Sequence, residues 1–141
     1  MTTQQTTKTK YLHSGLKECQ AIVLKNRLEQ MMFDERLFTS KRLNLGIVAD
    51  RLNTSYHNIS QVISQSYKTI FFQFLNMLRI DEAKRLLSSP DYTNHKVLEI
   101  AYQVGFCTRN SFNKTFKRLT GLTPSAYRKW ILTGSKIESL C

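Results

Sequence analysis

The residue types that do covalent or metal chemistry are few in this chain and do not cluster. His13, His57 and His95 are far apart, and none has a carboxylate or Cys partner, which argues against both a metal site and a general base. Cys19, Cys107 and Cys141 are odd in number, widely separated and form no CxxC pair, so neither a disulfide framework nor a zinc cluster is expected, and a reducing cytosol fits. No nucleophile stands at a recognisable spacing from a base, no Gly loop could cradle a phosphate, and no paired carboxylates share a face. The reading is of a protein with no catalytic residues, no metal and no cofactor. What the chain holds in excess is positive charge: 21 Lys and Arg against 10 Asp and Glu, a net +11. Buried unpaired charge is prohibitively costly, so this excess faces water or a polyanion, with nucleic acid or an anionic membrane surface as the usual partner. A merely soluble basic protein would show the same total. The charge therefore matters only if the fold aims it.

The elements that could aim it are helical. With 141 residues, 41% apolar, the chain suits one domain of ordinary size or two very small ones. Five Gly and two Pro are too few for a sandwich or barrel of many short strands, since each reversal needs its own turn chemistry. The longest aliphatic run, Ile22 to Leu24, is far short of the roughly 20 residues of a membrane span, and no signal-peptide core follows Met1, so a cytoplasmic protein is expected. Residues 1–10 read as a disordered lead-in. Apolar positions at Leu16, Cys19, Val23 or Leu24, Leu28, Met31 and Met32 predict a helix from Leu16 to about Phe33, within an N-terminal helical segment 11–40. A first helical pair spans 41–68. The longest helical pattern, Phe71 to about Leu87, lies within a linker of 69–89 and ends at Ser88-Ser89-Pro90. A second helical pair with a closing helix occupies 90–131, and 132–141 reads as a tail.

The two pairs repeat each other. Ala49 and Ala101 each follow an apolar residue, Val48 or Ile100, and precede Leu52 or Val104 by three positions and the turn residue Asn53 or Gly105 by four. Beyond the turn comes a hydroxyl able to cap a helix, Ser55 or Thr108, with apolar residues four and eight positions on: Ile59 and Ile63, or Phe112 and Phe116. The copies differ by one residue in the turn. This is the spacing of a helix-turn-helix. Two steeply crossing helices need a small residue where they touch and a residue tolerant of positive φ where the chain reverses. The second helix is then held by its inner face, and its outer face is free to enter a major groove about 12 Å wide.

Ile100-Ala101, Val104-Gly105-Phe106, Ser111-Phe112-Asn113-Lys114, Phe116-Lys117, Gly121, Thr123-Pro124-Ser125 and Tyr127-Arg128 resemble the signature of the AraC/XylS transcription regulators. Arg79-Ile80 and Ala83-Lys84-Arg85-Leu86-Leu87 are similar to that family's linker helix. The match covers about residues 45–130. It implies an all-α unit of seven helices, with two helix-turn-helix subdomains joined by the long linker helix. Lys10 to Phe38, including Tyr11, Ser14-Gly15-Leu16 and Met31-Met32, is similar to the segment preceding the DNA-binding unit in members with a helical membrane sensor. The chain departs from the pattern at Lys68, where a Gly commonly stands, and at Ile63, which replaces the usual Phe.

Carried over by position, the resemblance implies base reading by His57, Ser60 and Gln61 in the first copy and by Arg109, Asn110, Asn113 and Lys114 in the second. Arg and Lys suit guanine O6 and N7, and Asn and Gln suit adenine N6 and N7. Ser55, Tyr56, Thr108, Lys117, Arg118, Arg128 and Lys129 are the expected phosphate contacts. Phe106, Phe112, Phe116, Tyr127 and Trp130 fall on inward positions and are read as core. Residues 106–130 hold six Lys or Arg and no acid, whereas 55–67 hold no charged residue, so the subdomains should contribute unequally.

The implied function is a sequence-specific DNA-binding regulator, an activator by resemblance, bound as a monomer to double-stranded DNA in the bacterial nucleoid, with RNA polymerase as a further partner. A linker helix of roughly 17 to 19 residues, about 26 to 28 Å long, would hold two recognition helices near the ~34 Å between adjacent major-groove faces. The expected site is asymmetric and about 20 base pairs long. The alternatives are a nonspecific nucleic-acid-binding protein, against which the repeat speaks, and the output domain of a longer sensor, membrane-bound or not.

Overall fold

The computed structural model describes residues 16–140, with side chains to residue 134. The expected lead-in over 1–10, His13 and Cys141 lie outside the described residues. Seven α-helices and no strand are present among the described residues. They are α1 (Glu18–Glu29), α2 (Leu45–Arg51), α3 (Tyr56–Tyr67), α4 (Phe71–Leu87), α5 (Val97–Gln103), α6 (Arg109–Thr120) and α7 (Pro124–Leu140). Local chemistry sets their starts. Asn44, Ser55 and Thr108 stand in extended backbone ahead of α2, α3 and α6, and their side chains accept the N–H of Ile47, Asn58 and Ser111 at 2.9, 3.2 and 3.1 Å. Thr123 does the same for Ala126 at 3.2 Å, with Pro124 opening α7, where its missing N–H costs nothing.

Two boundaries differ from the sequence reading. The first helix starts at Glu18 rather than Leu16, and after Glu29 it widens into a π-turn, Gln30–Asp34, closed by the Glu35 N–H on the Gln30 carbonyl at 3.4 Å. Its apolar stripe is covered only in part. Leu24, Leu28, Met31 and Met32 are buried, but Cys19 and Val23 line an open cavity of 430 Å³ beside Leu52, Asn53 and Thr54. At the other end, α7 runs on through Leu140, where a tail from residue 132 was expected, because nothing between Pro124 and Leu140 breaks a helix more strongly than the single Gly134.

The described residues divide into two compact units, one reaching Leu37 and resuming over Arg42–Phe74, the other made of Phe38–Lys41 and everything from Leu75 onward. In the first, Val48, Ala49, Leu52, Ile59, Val62, Ile63, Leu24, Leu28, Met31, Met32, Phe71 and Phe74 are buried. Tyr67, at the end of α3, stacks on Phe74 with ring centroids 4.6 Å apart and has the Lys25 ammonium 5.9 Å from its own centroid. Burial, and after it the neighbouring Glu29 carboxylate, push the Tyr67 phenol up to about 12.

In the second unit, Ile80, Ala83, Leu86 and Leu87 of α4 pack with Ile100, Ala101, Val104, Phe106, Phe112 and Phe116. Burying each large apolar side chain stabilises by about 1.5–3 kcal/mol. An aromatic series continues outward, Phe106 to Phe112 at 5.2 Å, Phe112 to Phe116 at 5.7 Å, Phe116 to Tyr127 at 5.4 Å and Tyr127 to Trp130 at 6.0 Å. The core ends at Tyr127. Trp130, expected inside, is 45% exposed, because it lies one helical turn beyond the last covered ring. Arg79 of α4 is buried here, donating from Nε to the Phe38 carbonyl at 2.8 Å and from Nη2 to the Ser40 carbonyl at 2.7 Å.

The repeat legible in the sequence is also a repeat in the backbone. Ala49 and Ala101 are buried, and each offers its carbonyl to the N–H five residues on, Thr54 or Phe106, at 3.0 Å in both copies. Asn53 and Gly105 have positive φ, 52° and 111°, and donate to the carbonyls of Asp50 and Tyr102, at 3.2 Å in both. These paired bonds are a Schellman closure, which satisfies carbonyls at the end of the first helix while reversing the chain. The second helices end alike, with Lys68 at φ 56° and Gly121 at φ 84°. Because the left-handed region is costly for a residue bearing Cβ, replacing exposed Lys68 by Gly is expected to stabilise the protein by about 0.5–1 kcal/mol in urea unfolding. Ala101→Leu should instead destabilise it by about 1–3 kcal/mol through overpacking. Unchanged thermal stability in that variant would mean that the two helices of the second pair do not meet at Ala101.

Candidate nucleic-acid interface

Each unit presents the start of one second helix to solvent. At α3, Ser55, Tyr56 and His57 are exposed, with the Tyr56 and His57 rings 4.2 Å apart, and Ser60 is half-buried. Gln61 is not on this face. It is 6% exposed, within a buried run through Ile63, since α3 packs against α1 as well as α2 and is covered over a wider arc than Ile59 and Ile63 alone imply. The Ser55 hydroxyl accepts the Asn58 N–H as the helix cap, a role that uses a lone pair and leaves its O–H able to donate to a phosphate.

At α6, Arg109, Asn110 and Lys114 are exposed on one arc, with Lys117 and Arg118 exposed beyond them. None of Arg109, Lys114, Lys117, Arg118 and Lys129 has an acidic partner among the described residues. A face of unpaired cations is what a polyanion would neutralise. Asn113 is half-buried, and its Oδ1 is turned out of solvent with no hydrogen-bond partner among the described residues, so it stands less freely on this face than its neighbours. Thr108 caps α6 through its hydroxyl. Arg128 is also half-buried and donates from Nη2 to the Tyr92 carbonyl at 3.2 Å, so part of its guanidinium braces the fold. Around it lies a cavity of 270 Å³ lined by Val97, Ser125, Lys129 and Thr133.

Arg42 is a further exposed cation, two residues ahead of the Asn44 cap of α2. No cluster of His, Cys, Asp or Glu able to hold a metal occurs among the described residues. No described helix is long and apolar enough to cross a membrane.

Compared with known proteins, residues 48–129 match a family model described as a helix-turn-helix domain. The chain belongs to the AraC-type helix-turn-helix family. The C-terminal domain of AraT, a response regulator from Geobacillus stearothermophilus, is one similar AraC-type structure, with a TM-score of 0.67 and 30% identity over 81% of this chain and 86% of that one. The C-terminal domain of the two-component response regulator YesN from Fusobacterium nucleatum superposes with a TM-score of 0.61 and 29% identity, over 75% of this chain and 94% of that one. An uncharacterised HTH-type transcriptional regulator of Staphylococcus aureus (strain COL) is 32% identical over 109 residues, 77% of this chain. The chain spans 14% of that relative's length.

For an AraC-type surface of this kind, a cation that meets only phosphate contributes through counterion release. Lys117→Ala is therefore expected to weaken binding to target and random DNA alike and to make the salt dependence of the affinity shallower by about one in the log–log slope. An unaltered slope in fluorescence anisotropy titrations would count against a phosphate role for Lys117.

Proposed function

We propose that this chain is a sequence-specific regulator of transcription that binds, as a monomer, an asymmetric bipartite site through α3 and α6 in successive major grooves. The observation that carries the reading is the duplication itself: two helix-turn-helix turns with the same hydrogen-bond closure, in tandem, bearing different outward residues. Tandem unlike copies favour an unsymmetric target, whereas a two-fold symmetric dimer would favour a palindrome. Arg109, Asn110 and Lys114 supply direct readout at one half-site, with Asn113 at its margin. Tyr56, His57 and Ser60 supply a more tolerant readout at the other, where long-range attraction is weak. Activation through contact with RNA polymerase, in the nucleoid, completes the proposal and rests on family membership.

A nonspecific nucleic-acid binder would need the charge but not two aligned polar faces. That two similar solved structures are C-terminal domains of response regulators supports a second reading, in which this unit is the output end of a longer sensor. Reading the gene upstream of Met1 distinguishes the two.

Footprinting with purified protein at several salt concentrations tests the binding mode. Protection of two successive grooves on one face is expected, with the α3 half lost first as salt rises. A symmetric footprint that requires a dimer, or protection of a single groove at every salt, would overturn the bipartite monomer. Arg109→Ala should cost about 1–3 kcal/mol at one half-site and relax base preference there. Equal losses on target and random DNA would reduce Arg109 to a phosphate contact.

A further inference from the structure

Residues 38–41 interrupt the first unit. Their neighbours on both sides belong with α1, α2 and α3, yet these four residues belong with the second helix-turn-helix. We propose that they form a strap, keyed by Arg79, and that Arg79 is thereby a positioning residue for the second recognition helix.

Four contacts of different kinds hold the strap. Phe38 is buried at 6% exposure. The Arg79 guanidinium takes the carbonyls of Phe38 and Ser40 as acceptors, 2.8 and 2.7 Å away, and its central carbon lies 5.9 Å from the centroid of Phe106 in the turn. The Lys41 ammonium stands 4.3 Å from the centroid of Tyr102, near the end of α5. At Gly105 the strap touches the turn directly. A Cβ there would meet Arg79 Nε at 2.7 Å and the Phe38 and Thr39 carbonyls at 3.0 Å each.

Close approach and backbone together set the copies apart. Asn53 and Gly105 both turn the chain at positive φ, but the 111° of Gly105 strains any side chain, and the space beside it is filled by the Phe38 and Thr39 carbonyls and the Arg79 guanidinium.

The electrostatics give the strap its leverage. Arg79 is 6% exposed and donates to the carbonyls of Phe38 and Ser40, so lifting the strap would leave a buried cation without them, a state that proteins avoid at high cost. Burial works against the charge and lowers the Arg79 pKa, so the two carbonyls hold a cation that its surroundings otherwise penalise. The turn that the strap supports, Val104 to Thr108, leads straight into Arg109, so the seat of the strap sets the direction in which α6 starts.

The functional half of this proposal rests on DNA reading by α6, and the test separates the two. Hydrogen exchange and DNA binding are measured on the full chain for wild type, Arg79→Lys, Arg79→Met and Lys41→Ala, below the melting temperature of each. Arg79→Lys keeps the charge but cannot take both carbonyls in one planar fork. Exchange at residues 38–41 and 104–108 should quicken together by about tenfold, while residues 52–56 in the first turn stay protected. Affinity for the target should fall by about tenfold with the protein fully folded, a loss that a role limited to stability would not produce.

If 38–41 loosens and 104–108 does not, or if both turns loosen equally, the strap is refuted. If exchange follows the expectation but affinity does not change, the positioning role fails. Wild type that binds no DNA defeats the DNA reading alone, because the exchange coupling is read without DNA. Should Arg79→Met not fold, Arg79→Lys and Lys41→Ala decide the matter by the same criteria.

Discussion

Everything this chain can present to DNA depends on a backbone reversal closed by its own carbonyls. A helix-turn-helix must end one helix and start another within a few residues, bury a small residue near the crossing and pair carbonyls that the first helix leaves open. Here one arrangement meets all three demands twice. A buried alanine carbonyl accepts the N–H five residues on, a left-handed residue makes the corner, and a hydroxyl starts the next helix. The small side chain and the left-handed φ are not separate preferences. The alanine lets the helices approach, and the corner determines where the second helix begins relative to that contact.

Much of this was legible in the residues because each requirement has a chemical signature. Alanine before Asn or Gly, then Ser or Thr, then apolar residues at four and eight, encodes the small contact, the corner, the cap and the inward face in order. The linker helix was read with its observed ends, Phe71 and Leu87, because its apolar periodicity is long and Pro90 follows it closely. Other features had no local signature. Gln61 looks like an outward polar residue by type, and its burial depends on how widely α3 is covered. Cys19 and Val23 keep the period of a buried stripe, yet periodicity shows only which face could be covered, not how far the covering extends. Arg79 is the plainest case. Its partners are main-chain carbonyls about forty positions earlier, and a carbonyl carries no sequence.

The copies share a frame and differ in chemistry. The second turn has one more residue, and the exposed Cys107 lies within it, so the cap falls at Thr108 while the buried positions keep their distance from the cap. Counting from Ser55 or Thr108, the inward residues fall at four and eight in each, so both second helices begin in the same rotational phase. What separates them is outside that frame: α6 has the aromatic inward residues Phe112 and Phe116 and exposed cations outward, whereas α3 has the aliphatic inward residues Ile59 and Ile63 and neutral groups at its exposed start.

The inward burial of Gln61 bears on how such a protein can change its target over time. Positions that no packing constrains can vary without a folding cost, and α6 has several in Arg109, Asn110 and Lys114. On α3 the corresponding arc is narrower, because Gln61 is closed to that kind of drift and Ser60 is half closed. On the proposed reading of DNA by α3 and α6, new specificity would therefore arise more readily through the second helix-turn-helix, with the first acting as the slower-changing member of the pair.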